Sequence, residues 1–229
     1  MKTAIVTGCA GLIGKKIVED FLAKDWKVIG IDIQDCDLEK ENFEFKYCDL
    51  REEDQIEDIF RQTPRLDLLV NCAAKTDQPR IPLEKLSLDE WNFGLSINLT
   101  SYFLCAKHAC PLLKKTSGSI INISSTRAFM SEENTFIYTS AKGAIQSLTH
   151  SLAVSLSPHI RVNSISPGWI DDESAEHTEE EKNFHLSGRV GKPSDISSLC
   201  LYLASDKSHF LNGENITVDG GVTKKMVYP

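Results

Sequence analysis

Short apolar runs alternate along the chain with stretches in which apolar residues recur at helical spacing. The runs predict strands at Thr3–Thr7, Lys27–Ile31, Glu44–Tyr47, Leu66–Asn71, Ser119–Ile123, Arg161–Ile165 and Asn215–Val218. Helices are predicted between them at Leu12–Lys24, Glu52–Gln62, Leu88–Lys115, Phe136–Ser157 and Pro193–Ala204. Several strands, Ile120-Ile121-Asn122-Ile123 among them, are near-continuous apolar runs, as expected of strands buried on both faces. Strand–helix alternation of this kind builds a parallel sheet covered by helices on both sides. No repeat, low-complexity linker or charge run marks a boundary. The expectation is therefore one domain over residues 1–229, a Rossmann-type doubly wound α/β fold of about seven strands.

Composition changes this picture little. At 229 residues, 41% hydrophobic and 25% charged, the chain is long enough to bury about 70% of its unfolded surface without a disulfide or metal staple. No apolar run approaches the ~20 residues of a bilayer span, and Met1–Thr7 enters a strand at once, so neither a membrane segment nor a signal peptide is expected. The seven cysteines are odd in number, scattered and without a C-x-x-C pair, which predicts reduced thiols and a cytoplasmic protein. His177 and His185 flank acids, but the reading there is a solvated loop without a metal.

The net charge of −8 belongs to one place. Seven acids lie between Asp171 and Glu181, and without them 25 basic residues face 26 acidic ones. No basic stripe remains to hold nucleic acid. The acidic stretch reads as solvated, with weak hydrogen-exchange protection over Asp171–Asn183.

The first strand runs into Thr7-Gly8-Cys9-Ala10-Gly11-Leu12-Ile13-Gly14 and then a helix. Glycines at such a turn allow close approach of the backbone to a pyrophosphate, and the helix N-terminus supplies free N–H groups. Asp32 closes the second strand, where an acid can hydrogen-bond ribose hydroxyls and repel the extra phosphate of NADP, so the reading is NAD. Turn chemistry is the plainer role for it. Asp49-Leu50 follows the third strand: Asp49 with Glu52 resembles a capping box, and the same carboxylate is placed to face an adenine amino group. Asn71-Cys72-Ala73-Ala74 ends the fourth strand with small residues that let a nucleotide pass close, so Asn71 and Ala73 are taken as cofactor contacts.

The most specific pattern is Tyr138-Thr139-Ser140-Ala141-Lys142. Residues four apart share a helix face, so phenol and ammonium project together. A lysine beside a phenol lowers its pKa and suits it to proton transfer. Ser125 ends the fifth strand, 13 residues upstream, where its hydroxyl can bond a substrate oxygen. Arg127 has two readings, a surface arginine or a partner for an anionic substrate group.

These residues, with Asn98, Asn163, Pro167-Gly168 and Val218-Asp219-Gly220-Gly221, make the sequence resemble the short-chain dehydrogenase/reductases over nearly its whole length. The resemblance implies hydride transfer between NAD(H) and a small carbonyl or alcohol substrate, with Asn98, Ser125, Tyr138 and Lys142 as catalytic residues. It further implies that Tyr138 and Lys142 touch the cofactor, that Lys142 binds the nicotinamide ribose, and that Asn98 holds a water relaying protons from Lys142. Asn98 also reads as a helix-kinking residue. Pro167, Gly168 and Ile170 are implied against the nicotinamide, and a homodimer or homotetramer is implied through the helices Leu88–Lys115 and Phe136–Ser157. Three features depart from the family pattern: the G-x-x-G-x-x-G spacing is similar to that of sugar-nucleotide epimerases, Asp172 stands where a hydroxyl residue is usual, and the lid around 171–187 is short and acidic, suggesting an open pocket. An epimerase or dehydratase with retained NAD, and a nucleotide sensor without chemistry, are the competing functions.

Overall fold

The computed structural model describes residues 1–77 and 80–226. Seven strands form one parallel sheet: β1 (Thr3–Thr7), β2 (Lys27–Asp32), β3 (Phe43–Tyr47), β4 (Leu68–Asn71), β5 (Ser119–Ile123), β6 (Arg161–Pro167) and β7 (Asn215–Val218). Their order is β3-β2-β1-β4-β5-β6-β7. The order reverses between β1 and β4, and in such sheets ligands bind beyond the strands' C-terminal ends at that switch point. All seven strands expected from the hydrophobic pattern are present.

Alternation along each strand sorts its side chains between two cores. Ile5, Leu69 and Ile120 face the side covered by α2 (Glu53–Gln62), α4 (Ser101–Thr116) and α5 (Phe136–Leu156), where they meet Ile56, Phe60, Ala109 and Leu113. Ala4, Val6, Val70 and Ile121 face the other side, against Ile17 and Phe21 of α1 (Leu12–Leu22) and Ile196, Cys200 and Leu203 of α7 (Pro193–Leu203). β1, β4 and β5 are buried at every position, which is why they read as unbroken apolar runs, whereas the edge strands β3 and β7 are half-buried.

Three elements differ from their expected form. The helix predicted over Leu88–Lys115 is two helices, α3 (Leu88–Leu95) and α4, joined by a π turn at Ser96–Thr100 that contains Asn98. The Asp49–Glu52 capping box does not form: α2 is preceded by Glu52 without a side-chain cap, and Asp49 turns instead to Arg51. Finally, the acidic stretch keeps most of its acids exposed, as expected, but is not the plain loop expected around His177 and His185. Thr178 and Glu181 make a reciprocal capping box that starts a short helix, α6 (Glu179–Phe184). His185, 3% exposed, then packs beneath Gly220 and near Trp169, anchoring the end of the lid. Among the described residues, no helix is long and apolar enough to cross a membrane.

Candidate active site

The turn after β1 is shaped by steric limits. Gly8 has φ +71°, and a Cβ on it would lie 2.7 Å from the Ala73 Cα. A Cβ on Gly14 would fall 2.0 Å from the Gly8 carbonyl oxygen. Both glycines are thus required by the fold itself. Gly11 is different: it is exposed, it precedes α1, and a Cβ there would meet only the Gly8 carbonyl oxygen at 3.4 Å. No side chain caps α1 and no acid sits in its first turn, so its first N–H groups and partial positive charge remain available to an anion. The Thr7 hydroxyl accepts from Cys72 N (3.0 Å) and Ala73 N (3.2 Å) and ties the end of β4 to this turn.

A cleft of about 720 Å³ opens from the turn along the C-terminal edge of the sheet. Gly8, Gly11, Leu12, Ile13, Gly14, Asp32, Asp49, Leu50 and Ala73 line one part of it, and Ser125, Tyr138, Lys142, Pro167, Gly168 and Ile170 line the rest. The Asp32 carboxylate accepts from Ala10 N and Gln34 N, each at 3.0 Å, so it braces the glycine turn as well as facing the cleft. Asp49 is held below the usual carboxylate range by Arg51, whose guanidinium also lies 5.1 Å from the Phe93 ring centre. Arg51, like Phe93, lines the cleft without having been singled out by the sequence reading.

Two expected contacts are placed elsewhere. The Asn71 side chain lies inside the sheet layer, donating to Asn122 Oδ1 (2.9 Å) and to the Tyr102 carbonyl (3.4 Å), and not on the cleft wall. Asn71 sits at the last position of a fully buried strand, so its side chain is spent on neighbours in the core. Asn98 is fully buried, and its amide grips the backbone of Lys75: Oδ1 accepts from Lys75 N (2.9 Å) and Nδ2 donates to Lys75 O (3.3 Å). The side chain therefore fixes the loop after β4, and the neighbouring Ile97 reaches the cleft. Asp172 closes its own turn, accepting from Ser174 N (2.9 Å) and Ser174 Oγ (2.5 Å), and does not line the cleft.

Ser125, Tyr138 and Lys142 do converge. The Ser124 hydroxyl donates to the Lys142 carbonyl (2.8 Å), docking α5 on the end of β5. Ser125 Oγ accepts from Arg127 N (3.1 Å). Lys142 is 1% exposed. Its ammonium donates to Ile123 O (2.8 Å) and Tyr102 Oη (3.3 Å) and lies over the rings of Tyr102 and Tyr138, 5.2 and 5.5 Å from their centres. Among the described residues no carboxylate pairs with it, and burial pushes its pKa down to about 8. The expected lowering of the phenol by Lys142 is not what this geometry gives. Burial raises Tyr138 above its ordinary value, while the nearby Ser125 hydroxyl and the Arg127 charge pull it down. The ammonium faces the ring and not the hydroxyl, so helical spacing put the two side chains together without making them a direct pair.

Tyr102 was missed. It is buried, donates to Ile123 O (2.9 Å) and contacts the lysine, one turn after Asn98. Its signal was the four-residue spacing from Asn98, but an aromatic residue on a helix reads equally well as core. Arg127 also departs from the plainer of its two readings: it is half-buried and lines the space beside Ser125 and Tyr138.

Known proteins share this arrangement of elements. The family model described as Enoyl-(Acyl carrier protein) reductase matches residues 8–223. An uncharacterized oxidoreductase of Thermotoga maritima is 39% identical, covering 99% of this chain and 98% of that protein. An apo SCOR enzyme from Clostridium thermocellum superposes with a TM-score of 0.91 at 38% identity, covering 99% of this chain and 95% of that one. A 4-hydroxyisoleucine dehydrogenase complexed with NADH has a TM-score of 0.87 at 31% identity over 99% and 100% of the two chains. ElxO with NADP bound has a TM-score of 0.86 at 26% identity over 98% and 99%.

Proposed function

Since the chain belongs to the short-chain dehydrogenase/reductase family of oxidoreductases, we propose that it is an NAD-dependent dehydrogenase interconverting an alcohol and a carbonyl, with Tyr138 as the acid/base. The observation that carries this reading is the meeting of Ser125, Tyr138 and a buried, carboxylate-free Lys142 in one cleft with the glycine turn. The turn fits a dinucleotide on its own evidence: Gly11 is unnecessary to the protein's own packing, and the α1 N-terminus is uncapped. A bound nicotinamide would supply or accept the hydride.

The protein's residues would do the rest. Ser125 Oγ hydrogen-bonds the substrate oxygen. Tyr138 Oη takes the hydroxyl proton during oxidation and returns it during reduction. Lys142, fixed in the wall by Ile123 O and Tyr102 Oη, would hold the nicotinamide ribose, while the Arg127 charge and the Ser125 hydroxyl draw the Tyr138 phenol down. Asn98 keeps the loop after β4 in place through Lys75, and a relay water would fall to main-chain carbonyls of the π turn instead of its amide. Gly8, Gly11, Leu12, Ile13 and Gly14 would cradle the pyrophosphate, Asp49, Leu50 and Ala73 the adenine side, and Pro167, Gly168 and Ile170 the nicotinamide. Cytoplasmic placement, one domain and a homodimer or homotetramer complete the proposal. Phe103 on α4 and Val154 on α5, 47% and 81% exposed, support pairing through those helices.

Asp32 supports NAD because its carboxylate is held in the cleft by two backbone donors. The expected result is tighter binding of NADH than NADPH by fluorescence titration, with Asp32→Ala narrowing the gap. Loss of a charge-assisted hydrogen bond corresponds to about 1.5–3 kcal/mol of NADH affinity. Equal or better NADPH binding by the unmutated protein overturns the NAD assignment. Stoichiometric NADH formation from an alcohol separates the dehydrogenase from an epimerase, which turns over no net cofactor.

A further inference from the structure

On the far side of Ser125 and Tyr138 lies a smaller cavity of about 250 Å³. Its charged lining consists of Arg80, Arg127 and Glu132, with Thr76, Ser125 and Thr135 as polar neighbours. Arg127 Nη2 is 2.5 Å from one oxygen of Glu132, and Arg80 Nη2 donates to the other. One carboxylate thus holds two guanidinium groups that would otherwise repel each other, and the lining keeps a net positive charge. Each guanidinium has five donors and a carboxylate accepts about four hydrogen bonds in all. Among the described residues, Glu132 is the one acceptor that both side chains meet, so most of their donors are left for another anion.

Glu180, Glu181 and Asp219 line the neighbouring opening beneath the lid together with Lys225, and Ser125, Arg127 and Glu132 line both spaces. A carboxylate drawn to Arg80 and Arg127 would bring a neighbouring hydroxyl carbon beside Ser125 and Tyr138, which line the same cavity.

We infer that the substrate is a short hydroxy acid, or the corresponding oxo acid, whose carboxylate is gripped by Arg127 and Arg80 beside the Ser125–Tyr138 pair. This rests on the dehydrogenase reading above. The room on the Arg80 side, about 250 Å³, is below a typical ligand site of roughly 300–1,000 Å³, so the part of the substrate that reaches the two arginines is short. Planar guanidinium groups suit a planar carboxylate, and Glu132 keeps them oriented before the substrate arrives.

The experiment has two arms. In the first, hydroxy acids of three to six carbons and their methyl esters are compared by NADH absorbance. Acids should be preferred in kcat/KM, the preference should fall with added salt, and Arg127→Met and Arg80→Met should each cut the acid-to-ester ratio by roughly 10- to 100-fold. A ratio near one in the unmutated protein overturns the inference. So does a ratio that the variants leave unchanged, since that is the behaviour of a structural clamp. In the second arm, the same acids and their oxo forms are titrated calorimetrically into NADH-loaded protein. Failure of every acid to bind overturns the anion site whether or not neutral alcohols are turned over. Acids that bind through the arginines without any turnover leave the anion site standing and overturn the dehydrogenase reading.

Discussion

Tyr138→Phe is expected to lower the rate by roughly 10²–10⁴-fold, the range for loss of a positioned acid/base, while the melting temperature and NADH affinity stay close to those of the parent. The substitution removes one hydroxyl and keeps the ring over which the Lys142 ammonium sits. No hydrogen bond that braces the fold is lost, because the lysine is held by Ile123 O and Tyr102 Oη. The pH dependence of the parent should also follow the structure. A phenol raised by burial needs the Arg127 charge and the Ser125 hydroxyl to bring it down. Arg127→Met should therefore move the alkaline-favoured oxidation rate to higher pH. Activity of Tyr138→Phe within a few-fold of the parent, on any alcohol that is oxidised, removes the tyrosine from the mechanism.

Lys142→Met is expected to lower the rate by at least roughly 10²-fold and to weaken NADH binding, yet to make the protein more stable at neutral pH. A buried ammonium is disfavoured, which is why its pKa falls to about 8 from about 10.4 in the unfolded chain. Between those values the unfolded state binds more protons, so the parent gains stability as pH rises and carries the full penalty below pH 8. A shift of this size corresponds to at most about 3 kcal/mol. Removing the ammonium leaves no orphaned acceptor at Ile123 O, which keeps the Tyr102 hydroxyl at 2.9 Å. Urea unfolding at pH 7 and near pH 10.5 checks this: the variant should be ahead at the lower pH and level at the higher. Lower stability of the variant at pH 7 contradicts it, and places the ammonium in a favourable site instead of a costly one.

The sheet was readable because burial on both faces writes itself into β1, β4 and β5 as unbroken apolar runs. The glycine turn was readable because sterics leave no alternative at Gly8 and Gly14. Other features depended on which of several available partners a polar side chain finds. Asp49 had the Glu52 N–H and the Arg51 guanidinium within reach along the chain, and its carboxylate took the cation. Asn98 and Asn71 ended on backbone and side-chain groups 23 and 51 residues away, which no local pattern announces. Most acids of the lid are exposed, as their charge density predicts, while the Thr178–Glu181 capping box and the buried His185 form and anchor a helical turn that charge density does not announce. Arg127 was ambiguous for the same reason: its pocket is completed by Arg80 and Glu132 from two separate loops.

The π turn at Ser96–Thr100 also sets how this stretch tolerates insertions and deletions. An α-helix advances about 100° per residue, and the wider π turn takes up part of that rotation between α3 and α4. Inserting one further residue there, beyond the one the π turn already absorbs, would turn α4 by about 100° against α3. Tyr102, Cys105, Ala109 and Leu113, all on the buried side of α4, would then swing out of the core together. Asn98 would lose Lys75 in the same step. A length change here acts on every later position of α4 at once, whereas a substitution acts on one. The five residues therefore work as a fixed count, and sequences that keep this site can be expected to vary in residue type there before they vary in number.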